Sequence, residues 1–166
     1  MHVTPTLAKL NLPGSSITLR RATHDDLPTI VSLLVDDPLG RTREAPSHAD
    51  DLGPYEAAFA LIDTDPAQLL VVATDGSEVV ATMQLSFIPG LARRGALRAQ
   101  AEAVRVAAHY RRRGLGAAMF QWSIDEARRR GCALVQLSTD KTRTDARRFY
   151  ERLGFTASHE GFKLNL

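Results

Sequence analysis

Residues 104–116 read Val-Arg-Val-Ala-Ala-His-Tyr-Arg-Arg-Arg-Gly-Leu-Gly and join an apolar strand to the start of a helix through a turn rich in glycine and arginine. The first turn of a helix has unpaired N–H groups and the positive end of the helix dipole, which together bind anions. Glycine lets the backbone approach a pyrophosphate closely, and arginine adds charge-assisted hydrogen bonds. The stretch therefore predicts a phosphate site, and its alternative is an ordinary capped loop with a charged rim.

Hydrophobic periodicity predicts further elements on both sides of this turn. Residues 79–87 alternate apolar and polar side chains, which is typical of an antiparallel strand with one covered face. Residues 133–137 are almost continuously apolar, as in a strand buried on both faces. Mixed runs of strands and helices favour an α/β fold, with one mixed sheet and helices on both faces.

Before the turn, the pattern predicts strands over 17–21, 69–74, 79–87 and 98–107, an N-cap over 23–26, helices over 27–35 and 55–62, and a long loop over 36–54. After the turn, it predicts a helix over 114–130, a strand over 133–137, a helix capped by Thr144 that ends at Leu153-Gly154, and closing strands over 155–157 and 162–166.

The length of 166 residues suits one compact domain. Residues 1–16 are predicted to be a flexible leader, because the first 13 have neither the charge nor the apolar core of a secretory signal, and residues 17–166 are predicted to be the single domain. No apolar run approaches the ~18 residues of a membrane-spanning helix. The single cysteine, Cys132, cannot form an internal disulfide, which fits a cytoplasmic location.

Two motifs resemble those of the GNAT superfamily of acyl-CoA-dependent N-acyltransferases. Arg111-x-x-Gly114-x-Gly116 is similar to the superfamily's Q/R-x-x-G-x-G/A acyl-CoA signature, and it follows a Val-x-Val strand at the right distance. About 30 residues further on, Ala146-Arg-Arg-Phe-Tyr-Glu-Arg-Leu-Gly-Phe155 resembles the closing A-x-x-F-Y-E-x-x-G-F motif. The resemblance covers residues 17–166. It implies a mixed, mostly antiparallel sheet of six to seven strands with helices on both faces.

The resemblance also implies a binding site for acetyl-CoA as cosubstrate. Backbone amides of the turn would hold the pyrophosphate, and Val104 and Val106 would offer strand edges to the pantetheine arm and the acetyl carbonyl. The strand over 98–107 and the strand over 133–137 would splay apart to admit that arm. Arg143 stands where many members have an asparagine, so the resemblance implies that a charge replaces one usual contact with CoA. The predicted cofactor contacts are Val104, Arg105, Val106, Arg111, Arg112, Arg113, Gly114, Gly116, Ala117 and Arg143.

Tyr150 and Glu102 are the predicted catalytic residues. The resemblance implies that Tyr150 protonates the departing thiolate, and its alternative is a tyrosine of the core. Direct attack by a primary amine needs the neutral amine, so a base is expected. Strand alternation predicts that Glu102, Val104 and Val106 face the same way, and residues 102–106 resemble the Glu-Asp-Val-Val-Val strand of glucosamine-phosphate acetyltransferases. The alternatives are a surface glutamate paired with arginine and a substrate that binds as its small neutral fraction.

The expected acceptor is a small-molecule amine. Short stretches at residues 137–139, 145–146, 148–150 and 158–159 resemble the branch that acetylates aminoalkylphosphonates. The alternative function is a non-catalytic acyl-CoA sensor or a protein that docks a partner on the same fold. A nucleic-acid module fits poorly, because the arginine clusters 111–113 and 128–130 lie at opposite ends of one helix, about 25 Å apart.

Two further predictions concern metals and oligomeric state. The five histidines are scattered, and no pair has metal-ligand spacing, so no metal is expected. The two-sided apolar helix, the exposed-looking strand over 79–87 and the short closing strands predict a homodimer.

Overall fold

The computed structural model describes residues 5–36 and 51–166, and the elements are numbered within those ranges. The strands are β1 (Thr6–Leu12), β2 (Ser15–Arg21), β3 (Gln68–Asp75), β4 (Glu78–Pro89), β5 (Leu97–Val106) and β6 (Leu134–Leu137). The α-helices are α1 (Leu27–Val35), α2 (Gly53–Thr64), α3 (Leu115–Arg129) and α4 (Thr144–Arg152). Short helical turns at His24–Asp26, Ala92–Gly95 and Ala108–Tyr110 join some of them.

The six strands form one sheet in the order β1-β2-β3-β4-β5-β6. All neighbours are antiparallel except β5 and β6, which are parallel. One face of the sheet packs against α3 and α4 around Met83, Leu115 and Phe120, and the other packs against α1 and α2 around Ile30 and Phe59. The prediction of a mixed, mostly antiparallel sheet with helices on both faces is confirmed.

Strand β4 lies in the middle of this sheet and is covered on both faces. Nearly all of its central residues are buried, including polar Thr82, whose hydroxyl donates to the Val71 carbonyl at 3.1 Å. The prediction of one covered face is wrong here, because α1 and α2 cover the face that carries the polar side chains. Because β4 is not exposed, it gives no support to the predicted homodimer.

Strand β1 was not expected, because residues 1–16 were predicted to be a leader. Thr6–Leu12 pairs with Ser15–Arg21 as an antiparallel hairpin, and Leu10 is buried in the core. The turn contains Gly14 with φ +77°, a left-handed conformation that glycine adopts without a steric penalty. The leader prediction is wrong for these residues, because Pro13-Gly14 folds the strand back onto β2.

The start of α1 follows the sequence expectation. The backbone N–H of Thr23 donates to Asp26 Oδ2 at 2.7 Å, and Arg20 binds both carboxylate oxygens of Asp26 at 2.7 and 2.8 Å. Burial acts to raise the pKa of Asp26, but the hydrogen bonds from Arg20 and Thr23 outweigh it, so that the pKa lies below its ordinary value. This pair ties β2 to the entry of α1.

The carboxyl-terminal end differs from the sequence expectation. Arg143, rather than Thr144, is the N-cap residue of α4, and Thr144 is its first helical residue. Residues 155–166 form no strand, so the predicted closing strands at 155–157 and 162–166 are wrong for the chain as it stands. A strand needs a neighbour to bond, and these residues pair with none.

Most of the predicted loop over 36–54 falls on residues 37–50, which lie outside the described residues, and α2 already begins at Gly53. Across the described ranges, no helix has the length and apolar character needed to cross a membrane.

Candidate active site

A gap opens in the sheet where β5 and β6 part. The two strands are paired from Arg98↔Leu134 to Ala101↔Leu137, and β6 then ends while β5 continues to Val106. This separation was expected from the resemblance. It leaves the backbone of residues 102–106 facing the gap, where an extended group can bond to a strand edge.

A β-bulge at Ala103 changes the direction of the side chains on β5. Ala103 has φ +50°, and Glu102 lies opposite Gln84 whereas Arg105 lies opposite Thr82. Cross-strand partners share a face, so Glu102 and Arg105 both lie on the face that is covered by α1 and α2. Val106 lies opposite Ala81, on the other face.

The expectation that Glu102, Val104 and Val106 face the same way is therefore wrong. The bulge inserts one extra residue into β5, and this reverses the alternation beyond it. Val104 and Val106 instead pack against the core on the α3 side. Glu102 is exposed on the opposite side of the sheet.

The start of α3 lies next to this gap. Gly114 is the N-cap residue, with φ +85°, and Leu115, Gly116 and Ala117 form the first turn. N–H groups in the first turn have no acceptor within the helix. A Cβ added at Gly116 would lie 3.6 Å from Phe149 Cζ and 3.9 Å from Val106 Cγ2. Three elements, β5, α3 and α4, thus converge at Gly116, with the free N–H groups at their junction.

The three arginines of the turn differ in their surroundings. Arg111 donates to the Val106 carbonyl at 3.1 Å and forms an ion pair with Asp36 at 2.8 Å, so it braces the end of β5 against the end of α1. Its backbone N–H is also bonded, to the Ala108 carbonyl. Arg112 is exposed and has φ +63°.

Arg113 lies 4.5 Å above the ring of Tyr110 and donates to Ser15 Oγ at 3.2 Å. Tyr110 is buried, and its hydroxyl donates to the carboxylate of Asp75 in the β3–β4 hairpin. These contacts hold the exposed turn over residues 111–114 against the core. Arg112 and Arg113 remain positioned at the surface beside the first turn of α3, where positive charge favours a phosphate group.

Tyr150 lies on α4 among aromatic rings. Its ring makes edge contacts with Phe120 at 5.4 Å, Phe149 at 5.4 Å and Phe155 at 6.1 Å between centroids. Burial raises the pKa of Tyr150, and the positive charges of Arg143 and Arg105 offset part of that rise. The phenol therefore keeps its proton near neutral pH and can act as a hydrogen-bond donor.

Arg105 and Arg143 approach this phenol from different elements. Arg105 is half-buried on β5 and donates to the Val104 carbonyl at 2.9 Å. Arg143 is half-buried and precedes α4, with its N–H bonded to the Asp140 carbonyl at 3.0 Å. Their influence on the pKa of Tyr150 indicates that both guanidinium groups and the phenol belong to one region of the molecule.

Glu102 is held by a short chain of amides. Gln100 Nε2 donates to Glu102 Oε1 at 2.8 Å, and Gln136 Nε2 on β6 donates to Gln100 Oε1 at 2.7 Å. Gln84, opposite Glu102 on β4, donates to Gln68 at 3.1 Å. The sheet face around Glu102 is thus lined by polar side chains, and the carboxylate keeps acceptor capacity for a further donor.

Sequence reasoning missed several of these partners. Gln100 and Gln136 come together only through the parallel pairing of β5 with β6, and Asp36 meets Arg111 across 75 positions of sequence. No local pattern signals such contacts. Within residues 5–36 and 51–166, no group of three or more histidine, cysteine, aspartate or glutamate side chains is placed to hold a metal ion.

Comparisons with known proteins bear on the family of the chain. The sequence model of the acetyltransferase (GNAT) family matches residues 28–155. An aminoalkylphosphonate N-acetyltransferase of Salmonella typhimurium strain LT2 is 44% identical over 48 residues, which are 29% of this chain and 31% of that protein. The chain therefore aligns with about a third of that curated relative.

Two solved structures cover much more of the chain. One, described as a transcriptional regulator from Bacillus halodurans C-125, is 44% identical, covers 90% of this chain and 99% of its own, and superposes with a TM-score of 0.83. The other, a glucosamine-6-phosphate N-acetyltransferase from Arabidopsis thaliana, is 18% identical, covers 90% of this chain and 97% of its own, and has a TM-score of 0.72, which shows a shared fold. Since the family model spans most of the chain and both motifs lie at the junction of β5, α3 and α4, the chain belongs to the GNAT family of acetyltransferases.

Proposed function

We propose that this chain transfers the acetyl group of acetyl-CoA to a primary amine of a small molecule, by direct attack in a ternary complex. The observation that carries the proposal is the convergence at Gly116 of the edge of β5, the first turn of α3 and α4. There the N–H groups of a helix N-terminus and an open strand edge meet α4 at Phe149, the neighbour in sequence of the protonated phenol Tyr150. Family membership makes acetyl transfer the chemistry to expect.

The cosubstrate would bind across this junction. The N–H groups of Gly116 and Ala117 in the first turn would bond the pyrophosphate, and Arg112 and Arg113 would add charge at the surface. The pantetheine arm would lie in the gap between β5 and β6, bonded to the edge of β5 near Val104. Arg111 would serve as a brace, because protein atoms already engage its side chain.

The acceptor would approach from the face of α1 and α2, where Glu102 is exposed. In the ammonium form the amine has no lone pair to attack with, so the Glu102 carboxylate would take its proton directly or through one water. The Gln136–Gln100 chain supports this role, because its donated hydrogen bond orients the carboxylate without neutralising it. The bulge at Ala103 leaves Glu102 on the face of α1 and α2 while Val104 and Val106 lie on the α3 side, so that the acceptor and the pantetheine arm would reach β5 from different faces.

The reaction balances with these two groups. The amine nitrogen forms a bond to the acetyl carbon, and the carbon–sulfur bond breaks with its electron pair on sulfur. Glu102 takes one proton from the ammonium group before attack, and the Tyr150 hydroxyl donates its proton to the thiolate as negative charge develops there. The nitrogen loses its second proton when the tetrahedral intermediate collapses, and that proton restores the Tyr150 hydroxyl through solvent, so that one proton is released overall from Glu102. Because burial raises the pKa of Tyr150, its hydroxyl keeps the proton that it would donate to the thiolate. The products are the acetamide and free CoA.

A second candidate is a non-catalytic acyl-CoA sensor. The observation that favours it is the description of the Bacillus halodurans relative as a transcriptional regulator, at 44% identity over most of the chain. The exposed Glu102 and the protonated Tyr150 argue for catalysis instead, because a sensor needs neither.

Calorimetry followed by an amine panel separates the two candidates. Acetyl-CoA should bind the protein under either. Only the acetyltransferase should then release free thiol in proportion to added amine, with aminoalkylphosphonates and amino sugar phosphates in the panel. Binding without amine-dependent thiol release across the panel would leave the sensor as the better account.

A further inference from the structure

The turn before α3 contains a residue in an unfavourable backbone conformation. Arg112 has φ +63°, in the left-handed region that residues other than glycine rarely occupy. Arg111 before it has φ −64° and ψ 149°. The two residues thus follow the φ pattern of a type II turn, whose second central position normally takes glycine or asparagine. A strained residue of this kind persists only where the surrounding structure holds it in place.

The conformation of Arg112 decides where the N–H groups of the turn point. Within residues 5–36 and 51–166, the backbone N–H groups of Arg112 and Arg113 bond to no backbone carbonyl. Successive N–H groups in a turn of this kind form a concave site for an anion. They directly precede the N-cap residue Gly114 and the first turn of α3. The left-handed Arg112 therefore extends the set of N–H groups that would receive the pyrophosphate.

Tyr110 lies directly before the two central residues of the turn and is held by a distant element. Its side chain is buried, and its hydroxyl donates to the Asp75 carboxylate in the β3–β4 hairpin. On its other side, the ring lies 4.5 Å below the guanidinium group of Arg113. Tyr110 thus precedes Arg111 and Arg112 in sequence and contacts the residue that follows them, so its position fixes both ends of the turn.

We propose that the Tyr110 hydroxyl, through its bond to Asp75, is a positioning group for the cosubstrate that keeps Arg112 in its left-handed conformation. The inference rests on the proposed function, because it assumes that the pyrophosphate of acetyl-CoA binds at this turn. Without the hydrogen bond, the ring can shift and Arg112 can relax to negative φ, which turns the N–H groups away from the phosphate. Affinity for acetyl-CoA should therefore depend on a contact that no cosubstrate atom touches.

A neighbouring contact on the same hairpin offers a contrast. His109 Nε2 lies 3.0 Å from Glu78 Oε1, and the two side chains are 58% and 57% exposed. Exposed ion pairs contribute little, and His109 does not contact the residues that follow it in the turn as Tyr110 does. The Glu78 carboxylate is therefore expected to be dispensable for the conformation of Arg112.

Isothermal titration calorimetry with acetyl-CoA on the full chain is the first test. Tyr110→Phe keeps the buried ring below Arg113 and removes only the hydroxyl, and its Kd should rise about tenfold, the equivalent of one hydrogen bond to a charged group. Asp75→Ala should show the same rise. Asp75→Asn keeps an acceptor oxygen for the hydroxyl and should restore most of the affinity, and the matched control Glu78→Gln should bind like the wild type. Unchanged affinity in Tyr110→Phe would overturn the inference.

A double-mutant cycle separates positioning from a general loss of stability. Glycine adopts positive φ without a steric penalty, so Arg112→Gly should make the turn independent of its support. Arg112→Gly also removes a positive charge, but that loss is common to both arms of the cycle and cancels. In the Arg112→Gly background, Tyr110→Phe should therefore raise Kd by less than about twofold.

The outcomes of the cycle distinguish this inference from the proposed function. An equal rise in Kd from Tyr110→Phe in both backgrounds would mean that Tyr110 stabilises the fold without acting through Arg112, and would overturn the inference alone. A wild type that does not bind acetyl-CoA would overturn the proposed function, and the inference with it.

Discussion

Gly114 offers a substitution whose effects on folding and on binding can be separated. Its φ is +85°, and an added Cβ would meet only Leu12 Cδ2, at 3.9 Å. The Cβ of a valine at this position therefore has room, but the residue must adopt a left-handed backbone, which costs about 1–3 kcal/mol. In a domain of this size that lowers Tm by on the order of 2–10 °C, so Gly114→Val should remain folded.

Binding of acetyl-CoA should suffer far more than folding. The valine side chain would stand where the pyrophosphate approaches the first turn of α3, and it would displace at least one N–H-to-phosphate hydrogen bond. Hydrogen bonds to charged groups contribute about 1.5–3 kcal/mol each. Loss of one or two of them predicts a rise in Kd of roughly 100-fold, measured by isothermal titration calorimetry.

Gly131 provides the matched control at the other end of the same helix. It has φ +77° and open space around its Cβ position, and it lies about 25 Å from Gly114 along α3. Gly131→Val should lose similar stability and bind acetyl-CoA like the wild type. Unchanged affinity in Gly114→Val, or equal losses of affinity in both variants, would refute the placement of the pyrophosphate at this turn.

Three further predictions follow from the geometry. Tyr150→Phe should lower kcat on the order of 100-fold with little change in acetyl-CoA affinity, and near-normal turnover of this variant would mean that water protonates the thiolate. Because burial raises the pKa of Tyr150, the wild-type pH–rate profile should show no loss of activity from this group below about pH 10. Glu102→Gln should lower kcat on the order of 100-fold or more and move the ascending limb of the pH–rate profile toward the pKa of the amine. Gln100→Leu should lower kcat by a smaller factor. A raised KM with an unchanged pH–rate profile in Glu102→Gln would make Glu102 a binding residue. Arg20→Met should lower the free energy of unfolding by roughly 3 kcal/mol, because it leaves the Asp26 carboxylate buried without its partner. Since the native pKa of Asp26 is lowered, that stabilisation is fully present above about pH 4 and is lost as pH falls through the native pKa. Urea unfolding should therefore show a smaller deficit of the variant at pH 3 than at pH 7.

The main architecture could be predicted because its signals are local. The glycines after β5, the Thr23–Asp26 cap and the two-sided apolar pattern of α3 each lie within one stretch of sequence. The hairpin between β3 and β4 was similarly marked by Asp75-Gly76, and Gly76 has φ +56°. Such features depend on propensity and periodicity, which a single sequence displays.

The errors arose where pairing between distant segments decides the outcome. β1 exists because β2 lies beside it, and Pro13-Gly14 was its only local signal. The bulge at Ala103 has no signal, since alanine is not a residue that favours φ +50°, and it placed Val104 and Val106 on the opposite face from Glu102. The tail has a strand's alternation, yet residues 155–166 pair with no strand of the described chain.

The most direct test of the central claim is product analysis with acetyl-CoA and a panel of primary amines. Wild-type protein should release CoA thiol in step with the formation of an N-acetylated amine, detected by a mass gain of about 42 Da, the mass of an acetyl group replacing hydrogen. The release should depend on amine concentration and should fall together with product in Glu102→Gln and Tyr150→Phe. If acetyl-CoA binds but no amine gains an acetyl group, or if thiol release proceeds equally without amine, the assignment of N-acetyl transfer to this site is contradicted.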